Sequence, residues 1–144
     1  MAFSGNFLCT SFKKELMTKI HDFTVTTGDT FKIALYDNSA AFTAATPAYT
    51  AINEVSGTGY TAGGAALTNV TPVSSGTTAF ADFADATWSA STITAYGAMI
   101  YNDTAAGNPA VAILDFGGVK TTSGQDFVVS FPGAAAATAI VRIA

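Results

Sequence analysis

The chain holds a single histidine, His21, and a single cysteine, Cys9, so nucleophilic catalysis has little to draw on. A Ser-His-Asp or Cys-His arrangement needs an imidazole base held in place by a third group. His21 follows a helical stretch beside Asp22, where a histidine more often caps a helix C-terminus. Cys9 sits beside Leu8 and reads as a small buried hydrophobe. One cysteine excludes an intrachain disulfide and a four-cysteine zinc site. Glycosidase chemistry needs only two carboxylates, but Asp82 and Asp85 stand three apart in an expected strand and so point to opposite faces. Glu54 stands alone. Asp37-Asn38 and Asn102-Asp103 offer loop oxygens of the kind calcium takes, yet neither has the spacing of an acidic calcium loop, and turn formation accounts for both. Gly57-Thr58-Gly59 is not followed by a helix or by the Lys-Ser/Thr pair of a phosphate loop. Neither a metal nor a cofactor is expected. The aromatics Tyr36, Tyr49, Tyr60, Phe80, Phe83, Trp88, Tyr96 and Tyr101 remain. Exposed, they would stack sugars or anchor a protein interface; the simpler expectation is that they fill a core.

The elements that must position these residues follow from periodicity. Ser11 is a suitable N-cap, and Phe12, Leu16, Ile20 and Phe23 recur at near-helical spacing, which predicts a helix over 11–23. Glu15 and Lys19 are placed for an ion pair along it, and Lys13, Lys14 and Lys19 lie opposite the apolar stripe. After Gly28 the period changes to two: Phe31, Ile33 and Leu35 alternate with Lys32, Ala34 and Tyr36 up to the turn Asp37-Asn38-Ser39. Further strands are expected over 49–55, 66–70, 78–88, 92–101, 110–116, 127–131 and 139–143, separated by glycine-rich turns. About eight short strands with one N-terminal helix predict an all-β fold, an antiparallel β-sandwich of jelly-roll or Ig-like type. The organisation expected is one domain over 1–144, with an N-terminal arm at 1–10, a helix at 11–23 and strands over 31–144. Ile33, Leu35, Ile93, Ile113, Val129 and Ile140 are its expected core residues. The arm, with Phe3, Phe7 and Leu8, is expected to pair with a sheet or to lie against a neighbouring subunit.

Composition narrows the function classes. Of 144 residues 49% are hydrophobic, enough for a packed core, but only 11% are charged, against roughly 25% in an average soluble domain. A surface so poor in charge is expected to be covered in part by neighbours. The net charge of −4 provides no electrostatic footprint for nucleic acid or for an anionic membrane. The first residues show neither the basic nor the apolar segment of a secretory signal, so synthesis in a cytoplasm is expected.

Particular stretches carry a resemblance. The strand Phe31-Lys32-Ile33-Ala34-Leu35-Tyr36 follows a short helix, and Asn53-Glu54-Val55-Ser56-Gly57-Thr58-Gly59-Tyr60 comes next. Phe80 with Trp88, a strand containing Gly97, Ile100 and Tyr101, then Leu114-Asp115-Phe116, Lys120 and Phe131 complete the series. In this order the chain resembles a family of small structural proteins of tailed bacteriophages, particularly versions from aquatic phages and cyanophages, over nearly its whole length. Many members have Ala-Arg after the tyrosine where this chain has Thr61-Ala62, so no role of that arginine carries over.

The resemblance implies a non-enzymatic virion component made in the host bacterial cytoplasm. The first expectation is a capsid decoration (cement) protein on the outer capsid surface, bound to the major capsid protein and to further copies of itself. The alternatives are a tail component, fibre-associated or baseplate, and a carbohydrate-binding module that adheres to a host-surface glycan through aromatics near 96–101. Candidate contact residues are Glu54 and Tyr60 in the glycine-flanked loop, Phe3 and Phe7 in the arm, and Lys13 and Lys14 on the helix.

Overall fold

Backbone hydrogen bonding in the computed structural model, which describes residues 3–144, sorts the chain into one short helix and a set of antiparallel strands. In chain order these are β1 (Phe7–Leu8), α1 (Thr10–Met17), β2 (Phe31–Tyr36), β3 (Ala65–Ala66), β4 (Asn69–Ser75), β5 (Thr78–Phe83), β6 (Ala86–Ser91), β7 (Thr94–Asn102), β8 (Ala110–Thr121), β9 (Gln125–Val129) and β10 (Val141–Ile143). A five-stranded sheet has the order β1-β8-β7-β2-β3, a second sheet β10-β5-β4, and β6 pairs with β9. One continuous apolar cluster joins all three, which makes the fold an all-β sandwich.

The central strands are buried on both faces. On β2, period two places Phe31, Ile33 and Leu35 on one face and Ala34 and Tyr36 on the other, and none of the five is exposed. Phe31 stacks on Phe23 at 4.4 Å and meets Phe83 of β5 at 5.6 Å. On the opposite face Tyr36 meets Phe42 edge-on at 4.7 Å, and Phe42 meets Phe3 at 6.0 Å. One face therefore packs on the second sheet, while the N-terminal arm and the long β2–β3 connection cover the other. Alternation in the sequence reflects the two faces but not which is wet. Ile33, Leu35, Ile93, Ile113 and Val129 are buried as expected. Ile140 is only half-buried, because the chain reaches the sheet one residue later, at β10.

The arm belongs to this core. Phe7 and Leu8 pair with Ile113 and Ala112 at the edge of β8. Asp115 fixes the approach: its Oδ2 accepts the Gly5 amide at 2.9 Å and its own amide donates to Asn6 Oδ1 at 2.6 Å. Phe3 then drops into a slot over Gly97, where any Cβ would strike the Phe3 ring and the Leu114 carbonyl oxygen. Met1 and Ala2 lie outside the described residues. Truncating a buried Phe costs roughly 3 kcal/mol or more, so Phe3→Ala is expected to lower the thermal midpoint of the isolated protein by several degrees. An unchanged midpoint by circular dichroism would show that the arm is not part of the folded unit.

Five expected elements are corrected. The helix over 11–23 is Thr10–Met17, with Cys9 rather than Ser11 at its N-cap and no side-chain capping bond. It ends early because Lys19 adopts a left-handed backbone (φ 60), which lets the Lys19 amide donate to Leu16 O and the Ile20 amide to Glu15 O, a Schellman closure. Ile20 is exposed as a result, and Glu15 pairs with His21 instead of Lys19. The strand expected over 49–55 is a loop that touches β2 through one bridge, Tyr36↔Glu54, since Asn53 at φ 62 cannot continue a ladder. The strand over 66–70 breaks at 67–68 into β3 and β4, and the strand over 78–88 breaks at 84–85 into β5 and β6; in each case the two halves join different sheets. The strand over 110–116 runs on to Thr121 through a bulge opposite 95–97, where Gly117 and Gly118 take positive φ.

Candidate functional site

Residues 37–64 connect β2 to β3 with no regular element, and their order comes from a polar network around Glu54. The Tyr60 hydroxyl donates to Glu54 Oε1 at 2.6 Å, the Gly63 amide donates to the same oxygen at 2.7 Å, and the Tyr49 hydroxyl donates to Oε2 at 2.6 Å. The network is tied to the central sheet on both sides. The Leu35 amide on β2 donates to the Tyr60 oxygen at 3.0 Å, and Tyr101 on β7 donates to Gly63 O at 2.7 Å. Tyr36 adds a bond to Thr50 O at 2.7 Å. Rings reinforce it: Tyr49 stacks on Tyr101 at 4.5 Å and Tyr60 on Trp88 at 6.0 Å. Sequence reasoning paired Glu54 with Tyr60 through the glycine loop but missed Tyr49, five residues away in the same loop, and Tyr101, which joins the network from a distant strand through Gly63 O.

Chemically this carboxylate is occupied. Both oxygens accept donors, and the phenols facing it are hard to ionise. Burial raises Tyr49 to about 12, helped by its hydrogen bond to Glu54 and the nearby negative charge. Burial, with the Glu54 charge adding to it, also pushes up Tyr36, Tyr60 and Tyr101. The arrangement locks a loop. It also dictates an alkaline weakness: these phenols hold their protons in the folded state where the unfolded chain, ordinarily near pH 10, releases them. Their contribution is intact below about pH 10 and is lost as pH rises beyond it. Phenolate absorbance is therefore expected to appear together with loss of the circular dichroism signal in an alkaline titration. Ionisation of every tyrosine with the fold still intact would contradict this.

A second cluster lies at the end of α1. Asn102 Oδ1 accepts the amides of Thr104 and Ala105 at 2.9 and 3.0 Å, which fixes the orientation of its side-chain amide. Its Nδ2 must then donate to Asp29 Oδ2 at 2.7 Å and face His21 Nδ1 at 3.1 Å. Nδ1 is thereby the acceptor, so the proton of a neutral imidazole sits on Nε2 and is donated to Glu15 Oε2 at 2.7 Å. The ring is buried among Phe12, Phe23 and Phe31. His21 clasps α1 to the start of β2 and the end of β7. Cys9 is fully buried, and burial together with the Glu15 charge pushes its thiol up to about 11, which leaves little thiolate at neutral pH.

The remaining expected candidates disperse. Asp82 is buried in β5, with Oδ1 accepting the Phe83 amide at 2.9 Å and Oδ2 without a partner; burial pushes its carboxyl up, against the backbone amides of Phe83 and Ile140. Asp85 lies in the exposed turn beyond and accepts the Phe131 amide at 2.8 Å. Asp37 caps its own turn by accepting the Ser39 amide, and Asp103 pairs with Lys32 at 3.1 Å. No group of three metal-ligating side chains occurs among the described residues. Phe3 is buried and Phe7 half-buried, whereas Lys13 and Lys14 are exposed on α1. No aromatic ring among the described residues is exposed: Tyr101 is buried and Tyr96 half-buried, so 96–101 presents no stacking platform.

What the surface does present is two grooves of mixed lining with exposed aliphatic residues at one rim. A groove of about 710 Å³ runs between β8 and the C-terminal segment, lined by Leu8, Leu114, Phe116, Phe131 and Ile140, with Asp115 and Arg142 also on its wall. A second of about 450 Å³ continues it between β8 and β9, flanked by Val119 and Val128, each about half exposed. Phe116, Val129 and Ser130 line both, so the two form one continuous trough. No protein-family model, curated protein or solved structure matches the chain.

Proposed function

We propose that this chain is a non-enzymatic structural protein of a tailed-phage virion and, within it, a capsid decoration protein that binds the major capsid protein on the outer shell and stabilises the head. The observation that carries the reading is the trough along β8 and β9 on a chain of which only 11% is charged. Exposed aliphatic residues around a long groove suit a protein that functions covered by a partner. A sandwich buried on both faces of its central sheet makes a rigid clamp, and many copies of a small clamp add interface energy to a shell under internal pressure. The Tyr60 hydroxyl is committed within the fold, so the shell contact falls to the trough, with Val119 and Val128 at its rim.

Contact through apolar burial resists salt, because ionic strength screens exposed ion pairs and leaves hydrophobic association intact. Purified protein added to capsids that lack it is expected to bind equally in low and high salt. Val128→Asp is expected to bind at least about tenfold more weakly, since it sets a charge against an apolar contact, with its thermal midpoint unchanged. Failure of the wild type to bind capsids at all would reject the decoration reading in favour of the tail.

A further inference from the structure

The charges of this chain are few and unevenly placed. At 100° per residue, the solvent face of α1 sets Met17 between Lys13 and Lys14, and all three are exposed, Met17 at 82%. The Schellman closure then turns Lys19 and Ile20 out beside them. Glu15, the one acid of the helix, points the other way and is held by His21. Among the described residues the ion pairs are Glu15–His21 and Lys32–Asp103, so none of the three lysines of this face is paired with a carboxylate. Lys19 lies near enough to the exposed Asp22 for their charges to interact, so the unmatched charge of the face is that of Lys13 and Lys14. With these two set aside, the chain holds four basic and ten acidic residues, so a molecule of net charge −4 divides into a +2 face and a −6 remainder.

We propose that the solvent face of α1 is the contact by which one copy of this chain docks on the next, Met17 and Ile20 seating between carboxylates of the neighbour while Lys13 and Lys14 pair with them. The complementarity of a +2 face with a −6 remainder makes a second copy the fitting occupant. It also dictates the symmetry. A two-fold contact through this face would set lysines against lysines, so the contact is heterologous, the helix of one copy on a different surface of the next, and it propagates as a ring or a row. The inference concerns contact between copies and stands whether or not a capsid is the partner.

Sedimentation equilibrium of the full chain tests it. The wild type is expected to associate with increasing concentration at low salt, and to do so about tenfold more weakly at high salt, where the lysine contacts are screened. Lys13→Glu with Lys14→Glu should weaken association at least about tenfold at low salt, and Met17→Ser should weaken it at both salt concentrations. All these residues are exposed, so unchanged thermal midpoints confirm that the variants fold. Val128→Asp, which removes the trough contact, should associate as the wild type does. A wild type that stays monomeric at every accessible concentration, or variants that associate as strongly as it does, would overturn the proposal. Binding of a monomeric wild type to vesicles rich in phosphatidylserine would also overturn it and assign the face to a lipid surface.

Discussion

Replacing Glu54 with alanine is expected to be among the most damaging single changes in this protein, costing about 3 kcal/mol or more. The substitution removes the acceptor shared by the Tyr49 and Tyr60 hydroxyls and the Gly63 amide. Each donor, left partly buried without a partner, loses a charge-assisted bond. The damage should extend along residues 37–64, which hold no strand or helix of their own, and reach β2 through the Leu35 amide. Glu54→Gln keeps one carbonyl oxygen and the side-chain shape, so it should cost markedly less. Chemical denaturation of the two variants checks the ordering, and hydrogen exchange should show Glu54→Ala losing protection first in this connection. Equal, small losses for both would mean that the loop is held by ring stacking alone.

Ile113→Ala is expected to cost roughly 2–5 kcal/mol, the range for a fully buried aliphatic side chain truncated to alanine. Ile113 is 0% exposed and lies on β8, one strand in from the edge of the five-stranded sheet, paired with Met99 on β7 and with Phe7 of the arm. Ile33, also fully buried and paired with Ile100, should behave alike. Val119→Ala, at a half-exposed rim position, should change stability by less than about 0.5 kcal/mol and serves as the control. Near-zero losses at both isoleucines would contradict the sandwich.

The fold class and most of the core were legible because strands advertise themselves by period two and glycine punctuation. Ile33, Leu35, Ile93, Ile113 and Val129 are buried where alternation puts them. Helix length was not legible, because the stop signal expected of a helix is glycine, and here Lys19 takes the left-handed position at a cost only tertiary contacts reveal. The burial of Tyr36 and Ala34 was hidden for a related reason. Their face is covered by Phe42 and Phe3, which approach from opposite directions along the chain. The candidate site shows the same limit. Glu54 and Tyr60 are six residues apart and meet within one loop, whereas Tyr101 joins them across the sheet and Asn102 finds His21 from 81 positions away. Local spacing cannot report contacts that exist only after β2 and β7 have paired.

The proposal that this protein decorates a phage capsid is tested most directly by its copy number in virions. Quantitative densitometry of purified virions, with the major capsid protein as the internal standard, gives the ratio of the two chains. A decoration protein that clamps neighbouring capsomers should be present at hundreds of copies per particle, in fixed proportion to the shell subunit. A dozen copies or fewer would place it in the tail and contradict the account.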